Sequence, residues 1–373
     1  MQALKQDKSL CNKLKLQWIT DATTFYQLKL DWNKLASYYP TQFYFRHEWF
    51  DSAWQWAQTL GQLKILTVYD HDQLIAIVPL LLKNIIYKGI PFKQLEFLTV
   101  PDTQMCDIII SPPYYATGTF ILEYILKDKS WDKLKLHYLK PNSLLSLFSQ
   151  MLSQSFTLEV TTQHPIVRIN ENWDSFYATK GRRLKKGNNL CRNHLEKEGT
   201  VVLENLIYLP KNELLQVIQR ISQHSWKQST HTTFDQKAPY AFIKRLTELA
   251  LEKHWLNVWG LRVNHEIIAL EYHIEYSHQI YALRADYLTS KASLSPGTYL
   301  NWKILETLFE QKKSIYYMGP GKNTYKNRWQ NYLEDVWTFS SFNKTICGTL
   351  LKTIEQSLIP RLRIIKDKAQ ILT

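Results

Sequence analysis

LNVWGLRVNHEIIALEYHIEY, residues 256–276, reads as a strand, a polar turn and a second strand, with β-branched and aromatic residues filling the two runs. Just upstream, Phe242, Leu246, Leu249 and Ala250 share one face of a helix predicted over 240–253. The unit is helix, then hairpin. The same order stands earlier in the chain, where Trp49, Phe50, Ala53, Trp54 and Ala57 mark a helix over 47–60. KILTVYDHDQLIAIVPLLL (64–82) follows it as strand, Asp-rich turn and strand. Working outward, strands are predicted at 95–100, 106–110 and 134–139 with a helix at 114–126. After the second hairpin come a strand at 279–287, a helix at 299–310 and a strand at 314–318. A duplicated α/β unit with a seam near residue 165 accounts for both halves, against the alternative of chance likeness between two helix–hairpin segments.

Composition sets the outer bounds. A chain of 373 residues exceeds the usual single core, which favours two domains. With 45% hydrophobic, 13% aromatic and 21% charged residues it folds around real cores. Only 11 glycines occur, under half the usual share, and neither G-x-G-x-x-G nor G-x-x-x-x-G-K-[ST] is present. Rossmann and P-loop readings lose their support. The net charge of +13 attracts nucleic acid, anionic lipid, an acidic carrier protein or a phosphorylated cofactor. The opening residues lack the apolar core and cleavage site of a signal peptide, and the longest apolar run, 74–82, contains Pro79 and is far short of a membrane span. A cytoplasmic protein is expected, soluble or peripheral at the inner face of the membrane. Cys11, Cys106, Cys191 and Cys347 stand far apart, which fits neither a disulfide scaffold nor a zinc clip.

Two segments fall outside the repeat. KGRRLKKGNNLCRNHLEKEG (180–199) is a basic-to-acidic helix with a thin apolar stripe, either a solvated face or a receptor for an anion. The tail at 346–373 spaces Leu350, Leu351, Ile354, Leu358, Leu362 and Ile365 among basic residues. It is expected to be an amphipathic helix that packs on its own protein or lies on a membrane.

Residues 293–329, SLSPGTYLNWKILETLFEQKKSIYYMGPGKNTYKNRW, carry a pattern of s-P-G, helix, strand and G-x-x-x-Y-K-x-x-W. This resembles the last third of a CelD/BcsL-like acyltransferase domain of the GNAT superfamily. The strands of 259–288 and the basic helix of 180–199 are similar to the middle and opening of that domain, and 43–110 matches its N-terminal half more weakly. The resemblance implies an α/β (α+β) fold, a tandem of two GNAT-like domains with mixed central sheets flanked by helices. The expected division is a non-catalytic domain at 1–165, a catalytic one at 166–345 and the tail helix at 346–373. It further implies acyl-CoA as donor, distant kinship with Fem-type aminoacyl transferases and a setting in polysaccharide or cell-envelope synthesis.

Several residues fit that chemistry. Ser295, Pro296, Gly297 and Thr298 stand between a strand and a helix, whose first amides and dipole favour an anion, while Gly297 admits close approach to the backbone. The resemblance places the CoA pyrophosphate there. A plain helix start with Ser295 as cap is the alternative, and the family's usual turn is richer in glycine. Glu271 is the candidate base that deprotonates the acceptor. Strand alternation sets Glu271, His273 and Glu275 on one face. A two-residue turn at Ser277-His278 would put Arg284 opposite Glu271, with Asp286 one step along. An ion pair of Glu271 with Arg284 would make His273 the base instead. Arg284 and Asp286 are also candidates for holding substrate.

The resemblance assigns Tyr325 the acid's role, because NTYKNRW is similar to the GNAT element whose tyrosine faces the CoA sulfur. Simple packing of Tyr325 and Trp329, four apart on one helical face, is the alternative. Lys326 is placed to steady a phosphate or an acceptor carboxylate, and Trp329, which completes the motif, is a further candidate for binding substrate. Trp226 opens SWKQSTHTTFDQ, read as a loop that selects the acceptor. Gly319-Pro320-Gly321-Lys322 reads as a tight turn with amides for an anion. No metal is expected from the spacing of the 11 histidines. The leading function is acyl transfer from acyl-CoA to an amine or hydroxyl of an amino sugar, amino acid or saccharide. The alternatives are a Fem-type enzyme using aminoacyl-tRNA, the one nucleic acid expected, and a non-catalytic scaffold in envelope or polysaccharide assembly.

Overall fold

The computed structural model describes residues 11–230, 232–321 and 323–358. In the first half, β1 (Leu14–Ile19), α1 (Ala22–Gln27) and α2 (Lys29–Ala36) lead to α3 (His47–Ala57), the aromatic helix of the first unit. Then come β2 (Gln62–Leu63), β3 (Ile65–Asp70), β4 (Gln73–Val78), β5 (Leu80–Tyr87), β6 (Ile90–Phe97) and β7 (Ile109–Ile110). The half closes with α4 (Gly118–Lys127), β8 (Lys133–Leu139), α5 (Leu144–Ser149) and β9 (Thr157–Arg168).

The second half opens with α6 (Trp173–Ala178), α7 (Arg182–Glu198), β10 (Val201–Asn205), α8 (Lys211–Gln223) and α9 (Lys237–Glu252). The second hairpin is β11 (Leu256–Val263) and β12 (Glu266–Tyr276), followed by β13 (Gln279–Tyr287). Last are α10 (Pro296–Glu310), β14 (Ile315–Tyr317), α11 (Thr324–Trp329), β15 (Tyr332–Phe342) and α12 (Ile346–Thr353).

Both helix–hairpin units form, and their helices pack on each other: the Trp49 and Phe242 rings meet edge-on at 5.7 Å, and Arg245 on α9 pairs with Asp51 on α3 at 2.7 Å. The hairpins go to different sheets. One sheet has the order β1-β3-β4-β7, the other β10-β11-β12-β13-β14-β9-β15-β8-β6-β5-β2. Pro79 marks where the chain leaves the first for the second, since a residue without an N–H interrupts a ladder. The expected seam at 165 falls inside β9, whose neighbours β14 and β15 both come from the second half, so the large sheet runs unbroken across it.

Three expected elements are shortened or shifted. The strand at 106–110 shrinks to β7 because the Asp107 carboxylate takes the amides of Ile108, Leu144 and Leu145, at 2.8, 2.6 and 3.0 Å, and so caps α5. The helix at 114–126 starts as a 3-10 turn, Pro112–Thr117, before α4. Of the tail, α12 buries Leu351 and exposes Ile346 and Leu350; the part beyond residue 358 lies outside the described residues. Among the described residues no helix is long and apolar enough to cross a membrane.

Candidate active site

Ser277 and His278 form the expected two-residue turn, with φ of 49° and 60°. The register then runs cleanly to His273 opposite Ala282, after which Leu283 bulges and Arg284 comes opposite Tyr272. One extra residue moves every later partner. Glu271 faces Ala285 across the ladder, so the expected Glu271–Arg284 pair does not form. Arg284 instead meets Asp102 of the first half, with Nη2 donating to Oδ2 at 2.9 Å.

Parallel strands β13 and β14 pair only over 279–281 and 315–317, then part. Where they part, a cavity of about 760 Å³ opens between β13, the start of α10, α11 and the loop at 101–104. Ser295, Gly297 and Thr298 line it, while Pro296 is buried behind. Ser295 adopts a left-handed φ of 54° and makes no side-chain cap, which removes the alternative of a plain serine-capped start. A Cβ on Gly297 would meet only Tyr287, at 3.3 Å, so the turn is open to the cavity.

Glu271 borders the same cavity. Its Oε1 accepts from Asn301 Nδ2 at 3.1 Å, and its Oε2 accepts from the Tyr316 hydroxyl and from His273 Nε2, each at 2.9 Å. His273 is fully buried and does not line the cavity, and with Nε2 donating to Glu271 its basic nitrogen is Nδ1, which is sealed in the core with no hydrogen-bond partner among the described residues. His273 is therefore a partner of the carboxylate and no substitute base. Tyr325 and Lys326 line the cavity from α11. Burial first, then the negative charges of Glu271 and Asp286, push the Tyr325 phenol well above its usual range and keep it protonated. Burial brings the Lys326 ammonium down to about 8, and its Nζ donates to Gly319 O at 3.0 Å.

Trp329 is placed differently. It is 2% exposed and packs against Trp173 and Tyr177 with ring centroids 6.1 and 6.2 Å away, so it anchors α11 and does not touch substrate space. The glycine turn is also corrected: Gly319 N–H donates to buried His164 Nε2 at 3.1 Å and Gly321 N–H to Gln163 O at 2.9 Å, which leaves neither amide for an anion. Lys322 lies outside the described residues. Asp286 lines the cavity and pairs with Lys227 at 2.8 Å, and Lys227 Nζ also donates to Ala285 O at 3.2 Å. Trp226 sits at the cavity rim, 53% exposed.

Sequence reading missed Asn301, Tyr316, Lys227, Asp102 and Gln104. Gln104 Nε2 donates to Ala282 O at 2.7 Å, so the first half reaches directly into the site. Asn301 had a visible signal, a lone amide between Leu300 and Trp302 on a helix otherwise apolar there.

Residues 183–327 match the model of a family described as acetyltransferase (GNAT) domain. The fold is that of a GNAT domain. Over nearly its whole length the chain also follows FemX, with a TM-score of 0.57 at 10% identity, covering 92% of this chain and 100% of that one. L-PGS from Bacillus licheniformis gives 0.51 at 12% identity over 83% and 96% of the two chains. A conserved protein of unknown function from Bacteroides thetaiotaomicron gives 0.51 at 11% over 87% and 99%. No curated protein matches the sequence. At these identities the three structures bear on the fold alone.

Proposed function

We propose that the chain is an acyl-CoA-dependent acyltransferase of the CelD/BcsL-like kind, acting in polysaccharide or cell-envelope synthesis on an amine or hydroxyl of an amino sugar, amino acid or saccharide. Residues 166–345 supply the chemistry, and 1–165 supports it through Asp102 and Gln104. The carrying observation is that the open start of α10 and the titratable groups Glu271, Tyr325 and Lys326 share one cavity. At this start Thr298 N–H and Tyr299 N–H already donate to Ser295 O, at 3.1 and 3.3 Å, so what it offers a diphosphate is the helix dipole and the close backbone approach at Gly297. The cavity that borders both the helix start and Glu271 is the space for a pantetheine arm.

In that reading the acceptor's lone pair attacks the thioester carbonyl carbon, Glu271 takes the acceptor's proton, and the C–S bond breaks as Tyr325 protonates the departing thiolate. Arg284 and Asp286, held by Asp102 and Lys227, and Trp226 at the rim are the surfaces left for the acceptor. Calorimetry with acetyl-CoA and a longer acyl-CoA tests the donor. Saturable heat that vanishes in Gly297→Trp supports it. Silence with both CoA esters rejects it, and salt-steep binding of aminoacyl-tRNA in their place would move the donor to the Fem type.

A further inference from the structure

Glu271 on β12 is held by side chains from two other elements. Tyr316 comes from β14 and Asn301 from α10, and Asn301 Nδ2 also reaches the Tyr316 hydroxyl at 3.1 Å, so one amide ties strand, helix and carboxylate together. We propose that Asn301 and Tyr316 are positioning residues that fix the Glu271 carboxylate for proton removal, an inference that rests on the acyl-transfer reading.

Three observations carry it. Asn301 is 2% exposed among apolar neighbours, where an amide is costly unless bonded, and its Nδ2 spends its hydrogens on Glu271 and Tyr316. Its Oδ1 is buried with no hydrogen-bond partner among the described residues, so the amide is oriented by the carboxylate at the expense of its own oxygen. Third, Asn301 lies four residues after Gly297 on α10. The helix that would receive the donor therefore also holds the base, and the distance between thioester and carboxylate is set by one rigid element.

The groups facing the carboxylate are His273 on its own strand, Asn301 on α10 and Tyr316 on β14 by hydrogen bond, and Tyr325 and Lys326 on α11 by charge. A hydrogen bond donated to a carboxylate stabilises its charged form, so removing a donor raises the pH at which it loses its proton.

The test is carbon-13 NMR of glutamate-labelled full-length protein, with the Glu271 carboxyl signal assigned by its loss in Glu271→Gln. Tyr316→Phe is expected to raise the Glu271 midpoint by about one pH unit, and Asn301→Leu to raise it in the same sense. The matched control is Tyr272→Phe, which removes a buried hydroxyl bonded to Thr247 at 3.2 Å and leaves the midpoint in place. The acid limb of kcat/KM moves with the midpoint, while donor KM holds. Midpoints in Tyr316→Phe and Asn301→Leu that match Tyr272→Phe overturn the proposal, and Asn301→Leu carries it alone should Tyr316→Phe not fold. Shifted midpoints in both variants of a protein whose wild type transfers no acyl group would sink the acyl-transfer reading and leave the tether standing.

Discussion

The two halves start a helix with nearly the same letters and reach opposite results. Ser111-Pro112-Pro113 leads into α4 as Ser295-Pro296-Gly297 leads into α10. In the first half Gly118 is filled in, since a Cβ there would land inside the Phe148 ring, whereas a Cβ on Gly297 would meet only the edge of Tyr287, at 3.3 Å. The buried carboxylates differ in the same way. Asp107 is consumed by three backbone amides, while Glu271 is held by side chains and keeps an edge on the cavity. Strands β7 and β8 lie in separate sheets with their gap packed, but β13 and β14 pair first and then part. One chain order thus gives a solid core or an open cavity, depending on what fills the gap.

The largest expected effect tests that contrast directly. Glu271→Gln should lower kcat by about 10²- to 10⁴-fold in a steady-state assay, while Asp107→Asn stays within a few-fold of wild type. Equal losses would erase the distinction. Next is the contact that joins the halves: Asp102→Ala strands the Arg284 charge, which is 5% exposed, and should cost about 3–5 kcal/mol in urea unfolding.

The glycines sharpen the comparison at smaller scale. Gly118→Ala overpacks and should destabilise by about 1–3 kcal/mol. By contrast, Gly297→Ala should leave the melting temperature nearly unchanged but weaken donor binding several-fold by calorimetry. Smallest is a pH effect confined to the first half. Burial raises the Asp107 carboxyl to about 6, against the pull of the amides of Leu145, Ile108 and Leu144. Between its ordinary 3.8 and 6 the folded chain keeps a proton that the unfolded chain has released, so stability declines as pH rises through that window. The decline should be about 1–3 kcal/mol and absent in Asp107→Asn, as read from denaturation curves across the window.

Periodicity made most of the fold legible: β13 spans the expected 279–287, and the turn at Ser277-His278 forms as read. Arg284 was misplaced because a bulge leaves no mark in an alternating pattern, and Leu283 looks like any strand residue. Spacing put Tyr325 and Trp329 on one helical face, yet only the first lines the cavity, while the second is buried among aromatic rings. Asn301 and Tyr316 escaped because they meet Glu271 only after a strand, a helix and another strand have packed, a convergence that local spacing does not encode.

The route of the last strand has a consequence for synthesis. Between β8 and β9 the large sheet is bridged by β15, residues 332–342, so two strands of the first half find their shared partner only after every element from α6 to α11 has been made. A nascent chain stalled before that point would present their bare edges to solvent, and chaperone capture should fall sharply once those eleven residues clear the ribosome tunnel.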